Sequence, residues 1–391
     1  MTKTRIIITL ITIIVVTTFA SIIGFLAKGY RFDIKTFSFL PNGILVLKSE
    51  PAAAQIFIDG ELSTATDATI RLAPGTYDVS IQKEGYITWN KRLVIEKEVV
   101  TQAEVNLFRS APSLTATTFS GVFSPVASKD QTKIAFAVPL NKENNTEKAG
   151  LWVMETINLP LGFSRDPKRI TDGDLEGASW QWSPDGREIL LTHKTGVFLL
   201  DVGDFTPQAQ RINVASRKNQ ILDSWETEKT KKLSAKIKPL PEDLQEIFSK
   251  RVSSIMFSPD NNKILYTASS SATIQDNIIK PLPGASTQKQ ERYIKVGRMY
   301  IYDIKEDRNF LIEEHPKNKR IAWFATSNHV LIAEQGKVYI SDYDGTNKIS
   351  VYEGAYEVPY AFPTLSEDRI LILTNLGAVN TIPNLYSISL K

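Results

Sequence analysis

The chain has 391 residues, 42% of them hydrophobic and 23% charged, with a net charge of +3 and no cysteine. That length exceeds one small core and predicts two or more domains of ordinary globular composition. Without cysteine there are no disulfides, no thiolate nucleophiles, no Cys-ligated zinc or iron–sulfur centres and no lipid-modified N-terminal cysteine. The weak positive charge, with no Lys/Arg tract interleaved with aromatics, argues against a nucleic-acid partner.

In chain order, residues 1–5 read as a cytoplasmic tail and Ile6–Ala27 as an almost unbroken apolar run. As a helix it would span about 33 Å, enough for a bilayer core. A cleaved signal peptide would use Thr18-Phe19-Ala20 as its small-residue site. The apolar run continues past Ala20, longer than a signal segment requires, and this favours an uncleaved single-pass anchor. The flanking charges (Lys3 and Arg5, Lys28 and Arg31) nearly balance, so they orient the span weakly. An extracytoplasmic location for the later domains rests on the short tail and on the lack of a second span. Residues 28–43 read as a membrane-proximal linker.

Residues 44–109 form an all-β segment. Ile44–Lys48, Gln55–Asp59, Ala68–Leu72, Thr76–Gln82, Trp89–Ile95 and Ala103–Phe108 are strand-like. Asp59-Gly60, Pro74-Gly75 and Glu84-Gly85 are turn signals between them. Tyr77, Val79 and Ile81 alternate with Asp78, Ser80 and Gln82, the pattern of a sheet with one buried face. The spacing predicts a small β-sandwich. Three signatures, Ile58-Asp59-Gly60, Leu72-Ala73-Pro74-Gly75-Thr76-Tyr77-Asp78-Val79 and Lys83-Glu84-Gly85-Tyr86, occur in order, and on them the segment resembles a PEGA domain. Pro51-Ala52-Ala53-Ala54 stands where that family has its name-giving Pro-Glu-Gly-Ala. The resemblance implies an extracytoplasmic binding or spacer module of a bacterial envelope, with no catalytic residues.

From 112 to 391 one hairpin unit recurs. Its clearest copy is Ser179–Thr192, where Ser183-Pro184-Asp185-Gly186 supplies the turn: Pro presets φ, and Gly takes a positive one. Phe257-Ser258-Pro259-Asp260-Asn261 repeats it. Degenerate copies are anchored at Phe123, Phe324 and Phe362. A third strand follows, as in Gly196–Asp201, Arg298–Asp303 and Lys337–Asp342, and then a weaker fourth, Arg211–Val214 or Lys348–Val351. Four short strands per unit is the propeller pattern. Lys168–Gly173, Ala178–Trp182 and Ser183–Ile189 in series, with Asp342–Lys348 as a later turn, resemble TolB-type and WD-repeat-like propellers. Five units are counted and a sixth is allowed for. Leu114–Phe119 is expected to close the ring as the fourth strand of the last unit. The fold class is therefore all-β: a transmembrane helix, a PEGA-like sandwich and a propeller of five to six blades.

An insertion at 223–251 leaves the strand pattern. Glu226–Lys238 is Lys-rich and reads as a solvated loop, and Pro241–Phe248 reads as a helix. The insertion is expected to protrude. Ser269–Arg292 and Asn141–Lys148 are long polar loops. Trp225, Lys229, Lys231, Lys232, Lys236 and Lys238 are the candidate partner-binding residues: an exposed aromatic beside cations suited to an acidic protein, lipid headgroups or an anionic wall polymer.

Catalytic signals are weak. Gly-x-Ser-x-Gly, the P-loop and Gly-x-Gly-x-x-Gly do not occur. His193, His315 and His329 each stand alone. Asp172-Gly173-Asp174 and Asp342-Tyr343-Asp344-Gly345 lack a calcium loop's full ligand set and read as β-turns. Trp152, Trp180, Trp182, Trp225 and Trp323 make a conceivable sugar-stacking set, within which Trp180 and Trp182 sit at strand positions of the repeat and read as packing residues. No catalytic residue, metal ligand or cofactor is expected. The expected function is non-enzymatic recognition of a protein or envelope glycan through propeller loops. The alternatives are a carbohydrate-active hydrolase or lyase with carboxylates at the propeller mouth, and a structural spacer. The sequence leaves the oligomeric state open.

Overall fold

The computed structural model describes residues 3–27, 30–33, 37–140, 147–157, 166–280 and 286–391. Most of the Asn141–Lys148 loop and the Pro281–Gly284 tip of the Ser269–Arg292 loop lie outside the described residues. The chain divides into two compact units. One is Met1–Phe108 with Pro281–Lys289; the other is Arg109–Lys280 with Gln290–Lys391.

The first unit begins with helix α1, Lys3–Ala27. Its segment Arg5–Gly24 has a mean hydropathy of 2.7 and buries none of its surface against the protein, so by length and composition it can cross a membrane. The hydroxyls of Thr9, Thr12, Thr17 and Thr18 donate to carbonyls one turn earlier at 2.8–2.9 Å. That satisfies four of the helix's polar side chains internally, as an apolar surrounding favours. Two short strands, Arg31–Asp33 and Ser38–Leu40, pair in the linker.

The sandwich packs a three-stranded sheet (Ala68–Leu72, Gly43–Glu50, Val100–Asn106) on a four-stranded one (Glu61–Ala65, Gln55–Ile58, Gly75–Gln82, Trp89–Ile95). Leu45, Leu47, Ile56, Val79, Ile81 and Ile95 form the core. Asp59 and Gly60 both take positive φ, 50° and 85°, as a two-residue hairpin turn requires. The strand after that turn, Glu61–Ala65, was not expected. All five of its residues are exposed, so it carries no alternation to read.

In the second unit, five antiparallel sheets follow one another. Blade one comprises Phe123–Ala127, Lys133–Val138, Gly150–Glu155 and Lys168–Asp172. Blade two has three strands, Ser179–Trp182, Glu188–His193 and Gly196–Asp201. Its expected fourth strand, Arg211–Val214, shrinks to a single bridge between Asn213 and Phe198. Blade three is Val252–Phe257, Lys263–Ala268, Met299–Asp303 and Arg308–Glu313. Blade four is Arg320–Trp323, His329–Glu334, Lys337–Asp342 and Ile349–Glu353. Blade five is Ala361–Pro363, Arg369–Thr374 and Asn384–Ser389, completed by Leu114–Ala116, which pairs Leu114 with Ile388. The ring thus closes with a strand from its own start, leaving no free edge at the seam. First strands of neighbouring blades approach one another (Phe123–Ala127 with Ser179–Trp182, Arg320–Trp323 with Ala361–Pro363), which puts the first strands on the inner wall.

The turn after each first strand repeats closely. In blades one, two and three a serine hydroxyl donates to the aspartate two residues on, at 2.6 Å each: Ser128 to Asp130, Ser183 to Asp185, Ser258 to Asp260. The same serine oxygen accepts the amide of the residue opening the next strand: Lys133, Glu188 or Lys263. The fourth turn residue has positive φ in all five blades: Gln131, Gly186, Asn261, Ser327 and Glu367. This frame corrects the sequence register. Trp182 and Phe257 do end their first strands, but Phe123 begins its strand, and the blade-one equivalent of Trp182 is Ala127. In blades four and five the equivalents are Trp323 and Pro363, one residue from the expected anchors.

The inserted segment is a helical hairpin, α2 (Lys218–Ile237) and α3 (Glu242–Lys250). The Lys-rich stretch is therefore helix and not loop, and the hairpin does not protrude. Blade two turns Ile189, Leu191, Phe198 and Leu200 toward blade one; its opposite face, Leu190, Val197 and Leu199, packs on Ile221, Leu222 and Trp225 of α2. Blade three turns Leu265 and Ile301 toward blade four; its opposite face, Ile264, Tyr266, Tyr300 and Tyr302, packs on Leu244, Ile247 and Phe248 of α3. The hairpin fills the gap between blades two and three, where a further blade would stand.

Candidate functional site

The helix periodicity of α2 decides what its side chains can do. Trp225 is 7% exposed and packs on blade two, so it is an internal anchor and cannot serve as an exposed contact. The lysines stay outside. Lys229 is half-buried, and Lys231, Lys232, Lys236 and Lys238 are exposed. Two of them also fasten the helix to the ring. Lys232 Nζ lies 3.4 Å from the Pro184 carbonyl in the blade-two turn, and Lys236 Nζ donates to Asn261 Oδ1 in the blade-three turn at 2.6 Å. Lys236 also lies over the Phe257 ring at 5.2 Å. Lys232 pairs with Glu228 at 2.7 Å, and Lys229 with Glu226 at 3.5 Å.

Lys129, from the blade-one turn, joins this group. Burial holds its ammonium below the usual lysine value, and repulsion from Lys229, Lys236 and Lys232 adds to that, partly offset by Glu226. Turns of three blades and one helix therefore bring a cationic patch together. Nothing around Lys129 in the sequence marks it as a neighbour of α2; only the ring geometry does. The hairpin of the second long loop, Ala272–Thr273 with Tyr293–Ile294, is held against blade three by Arg292, which pairs with Asp276 at 3.2 Å and Asp307 at 3.1 Å.

The other sequence candidates are structural. Trp180, Trp182 and Trp323 are 5%, 8% and 1% exposed. Trp182 Nε1 donates to the Val126 carbonyl of blade one at 2.9 Å, and Trp323 Nε1 to the Met256 carbonyl of blade three at 3.1 Å. Trp152 is half-buried and donates to the Lys148 carbonyl at 2.8 Å. No sugar-stacking platform results from this set.

His329, unlike the isolated residue expected, is buried between two partners. Its Nδ1 is 2.9 Å from Thr326 Oγ1, and its Nε2 is 3.5 Å from Asp342 Oδ1. A hydroxyl, an imidazole and a carboxylate in line has the outline of a nucleophile relay. Here Asp342 Oδ2 is also held by Asn347 Nδ2 at 3.0 Å, and His329 is 4% exposed, so the set locks the turns of blade four. Asp344 Oδ1 accepts from the Thr346 amide and hydroxyl, at 3.2 and 2.6 Å, which makes Asp342–Gly345 a turn. Among the described residues no group of three or more His, Asp or Glu is placed to hold a metal ion.

Residues 42–110 match the PEGA domain family. No curated protein matches the chain. Solved structures that it is similar to include a putative TolB from Agrobacterium tumefaciens (13% identity, 70% of this chain and 80% of that one, TM-score 0.24). Others are TolB from Acinetobacter baumannii (12% identity, 80% and 59%, TM-score 0.20) and an acylaminoacyl peptidase from Pyrococcus horikoshii (12% identity, 70% and 39%, TM-score 0.22). The chain spans less than two thirds of the latter two. Those scores are too low to carry an argument, and the architecture rests on strand order and register. Behind an apolar N-terminal helix, residues 42–110 form a PEGA domain, and the sheets that follow form a five-bladed β-propeller whose remaining gap is filled by a helical hairpin.

Proposed function

We propose that the protein is a membrane-anchored, extracytoplasmic binding or scaffold protein whose propeller recognises an acidic partner, a protein or an envelope polymer, through the lysine surface of α2. The reading is supported first by order along the chain: an apolar helix able to span a bilayer, then a PEGA domain, then a ring. Rigid rings present side chains from several elements at once, which suits recognition. The observation that carries the site is the gathering of Lys129, Lys229, Lys232 and Lys236 with Lys231 and Lys238 beside them, close enough for repulsion to act on Lys129. A negatively charged partner relieves that repulsion and is steered by it.

The test uses the full chain in detergent, immobilised against envelope extract and a panel of anionic glycans. Deleting the hairpin would empty the junction it fills, so charge reversal is the cleaner variant: Lys229→Glu, Lys231→Glu and Lys238→Glu together. These residues leave the Lys232 and Lys236 tethers in place. A partner held by the unaltered chain, released by salt and lost from the triple variant supports the reading. Equal capture by both moves the site elsewhere on the ring, and capture by neither defeats the reading.

A further inference from the structure

Arg320 opens the first strand of blade four, on the inner wall of the ring. The next residue, Ile321, and Trp323 pack toward blade three. Arg320 goes the other way. Its guanidinium lies over the Phe362 ring of blade five at 4.4 Å. Phe362 is 1% exposed and is itself stacked by Tyr360, at 6.4 Å between centroids and 22° between planes, so the surface under the guanidinium is fixed. Stacking occupies the flat face of the cation and leaves its N–H edge for an in-plane acceptor.

Among the described residues that edge has no protein acceptor. Arg320 Nε is shielded from solvent and makes no hydrogen bond, and among the described residues no carboxylate pairs with the guanidinium. Arg169, Arg292 and Arg308 also have a shielded Nε without a hydrogen bond, but Arg169 donates through its Nη atoms to the Glu147 and Ala149 carbonyls, and other ring arginines meet carboxylates or oxygen acceptors. Arg292 meets Asp276 and Asp307; Arg298 meets Glu291 and Glu314; Arg211 reaches Thr171 Oγ1 and the Asp172 carbonyl. Burial alone pushes the Arg320 guanidinium down to about 10, with neither an acid to raise it nor another cation to lower it further. At neutral pH it remains charged. Arg320 is half-buried and only its Nε is cut off from water; a charge partly withdrawn from water without a counter-charge is costly, and a group from outside the chain can complete it.

We infer that Arg320, on its Phe362–Tyr360 platform, is the anchor of a ligand site on the inner wall of the propeller, and that the ligand presents a carboxylate. One cation with no second one acting on it matches a single negative charge. A phosphate dianion would be left half-neutralised, whereas a carboxylate pairs with a guanidinium edge through two parallel hydrogen bonds. The site uses none of the α2 lysines, so it stands or falls separately from the cationic patch.

The experiment is thermal unfolding of the full chain in detergent at pH 7 and fixed ionic strength, with sodium acetate, inorganic phosphate or chloride, for the unaltered protein, Arg320→Lys and Arg320→Met. Acetate at about ten times its Kd is expected to raise the Tm by roughly 3 °C over chloride. Arg320→Lys keeps part of the rise, and Arg320→Met loses it while unfolding no earlier in chloride than the unaltered protein. Alongside, exchange of the Arg320 Nε–H, followed by nitrogen-15 NMR, slows when acetate is added; this readout holds even where a variant folds poorly. An acetate response that survives in Arg320→Met, or no response and no slowing in the unaltered chain, overturns the site. An equal or larger rise with phosphate overturns its assignment to carboxylates.

Discussion

The junction between blades one and two and that between blades two and three solve one problem by different means. In the first, sheet meets sheet. The first strand of blade one carries a bulge with Ser124 at φ 49°, and Val126, at its end, offers the carbonyl that Trp182 grips from blade two. In return Lys133 Nζ reaches forward to the Gly186 carbonyl in the blade-two turn at 3.0 Å. Blades three and four repeat both links, with Ser254 in the bulge, Trp323 on Met256, and Lys263 Nζ on Asn328 Oδ1 at 3.3 Å. Between blades two and three no such indole or lysine link is seen among the described residues; side chains of α2 and α3 stand where a neighbouring sheet would. The ring is therefore two sheet pairs, each sealed by a reciprocal pair of polar links, with a helical filling at one gap and a shared closing blade at the other. Helices can fill a blade's place because the faces they cover, Leu190–Leu199 and Tyr266–Tyr302, ask only for apolar area.

The comparison breaks most easily at the filling. Phe248 is 1% exposed and touches Tyr266 at 5.2 Å and Tyr302 at 5.7 Å between ring centroids. Phe248→Ala is expected to cost about 3–5 kcal/mol in urea unfolding of the ring. Loss of hydrogen-exchange protection should start in blades two and three; protection lost uniformly would mean that the hairpin does not act as a separate filling. Trp182→Phe and Trp323→Phe come next, each at about 1–2 kcal/mol, because a part-buried carbonyl loses its donor while most of the ring area stays. The two losses should match, since the two links are alike, and should add in the double variant.

A smaller effect is pH-dependent. Hydrogen bonding from Ser183 holds the Asp185 carboxyl below its usual value; burial pulls Asp130 and Asp260 upward, but their serine and amide bonds outweigh it. Their folded pKa values lie below the unfolded ones, so this stability is present above the ordinary carboxylate value, about 3.9, and is lost as pH falls through the lower folded values. A triple Asp→Asn variant at 130, 185 and 260 should show a flatter decline of Tm below about pH 4 than the unaltered chain. Equal slopes would remove the turns from the acid response. Smallest of all, Gln131→Gly should stabilise by about 0.5–1 kcal/mol, because Gln131 holds a positive φ of 60°; Glu367→Gly, at φ 61°, should gain less, because it also gives up the ion pair of Glu367 with Lys391 at 3.7 Å.

Those two positions also explain what could be read in the sequence. The turn frame is the same in all five blades, but only Gly186 and Asn261 announce it by residue type, so the turns of blades two and three were legible to the residue. In blade one the apparent Ser124-Pro125 signal belongs to the bulge, and the true turn, Ser128-Lys129-Asp130-Gln131, lacks both Pro and Gly. The closing strand was legible, and so was the sandwich apart from Glu61–Ala65, because alternation and turn residues agree in the rest of it. The α2 helix was not: its apolar residues, Ile221, Leu222, Trp225, Leu233 and Ile237, are split between two clusters, so no single stripe declares it. Its burial of Trp225 and its approach to Lys129 are set by partners far away in the chain. Arg320 gave no signal, because an arginine's missing partner is visible only once every neighbour is placed.

The seam at Leu114–Ala116 has a consequence in time. Each of the other pairings within the ring joins segments that leave the ribosome close together, but Leu114 waits for Ile388, and the Arg109 amide waits for the Leu390 carbonyl. Contacts this distant in sequence carry a large loop-closure entropy and slow the step that makes them. Until the last strand arrives, the nascent ring is an open arc with bare strand edges at both ends, and for that interval it depends on whatever keeps neighbouring arcs apart.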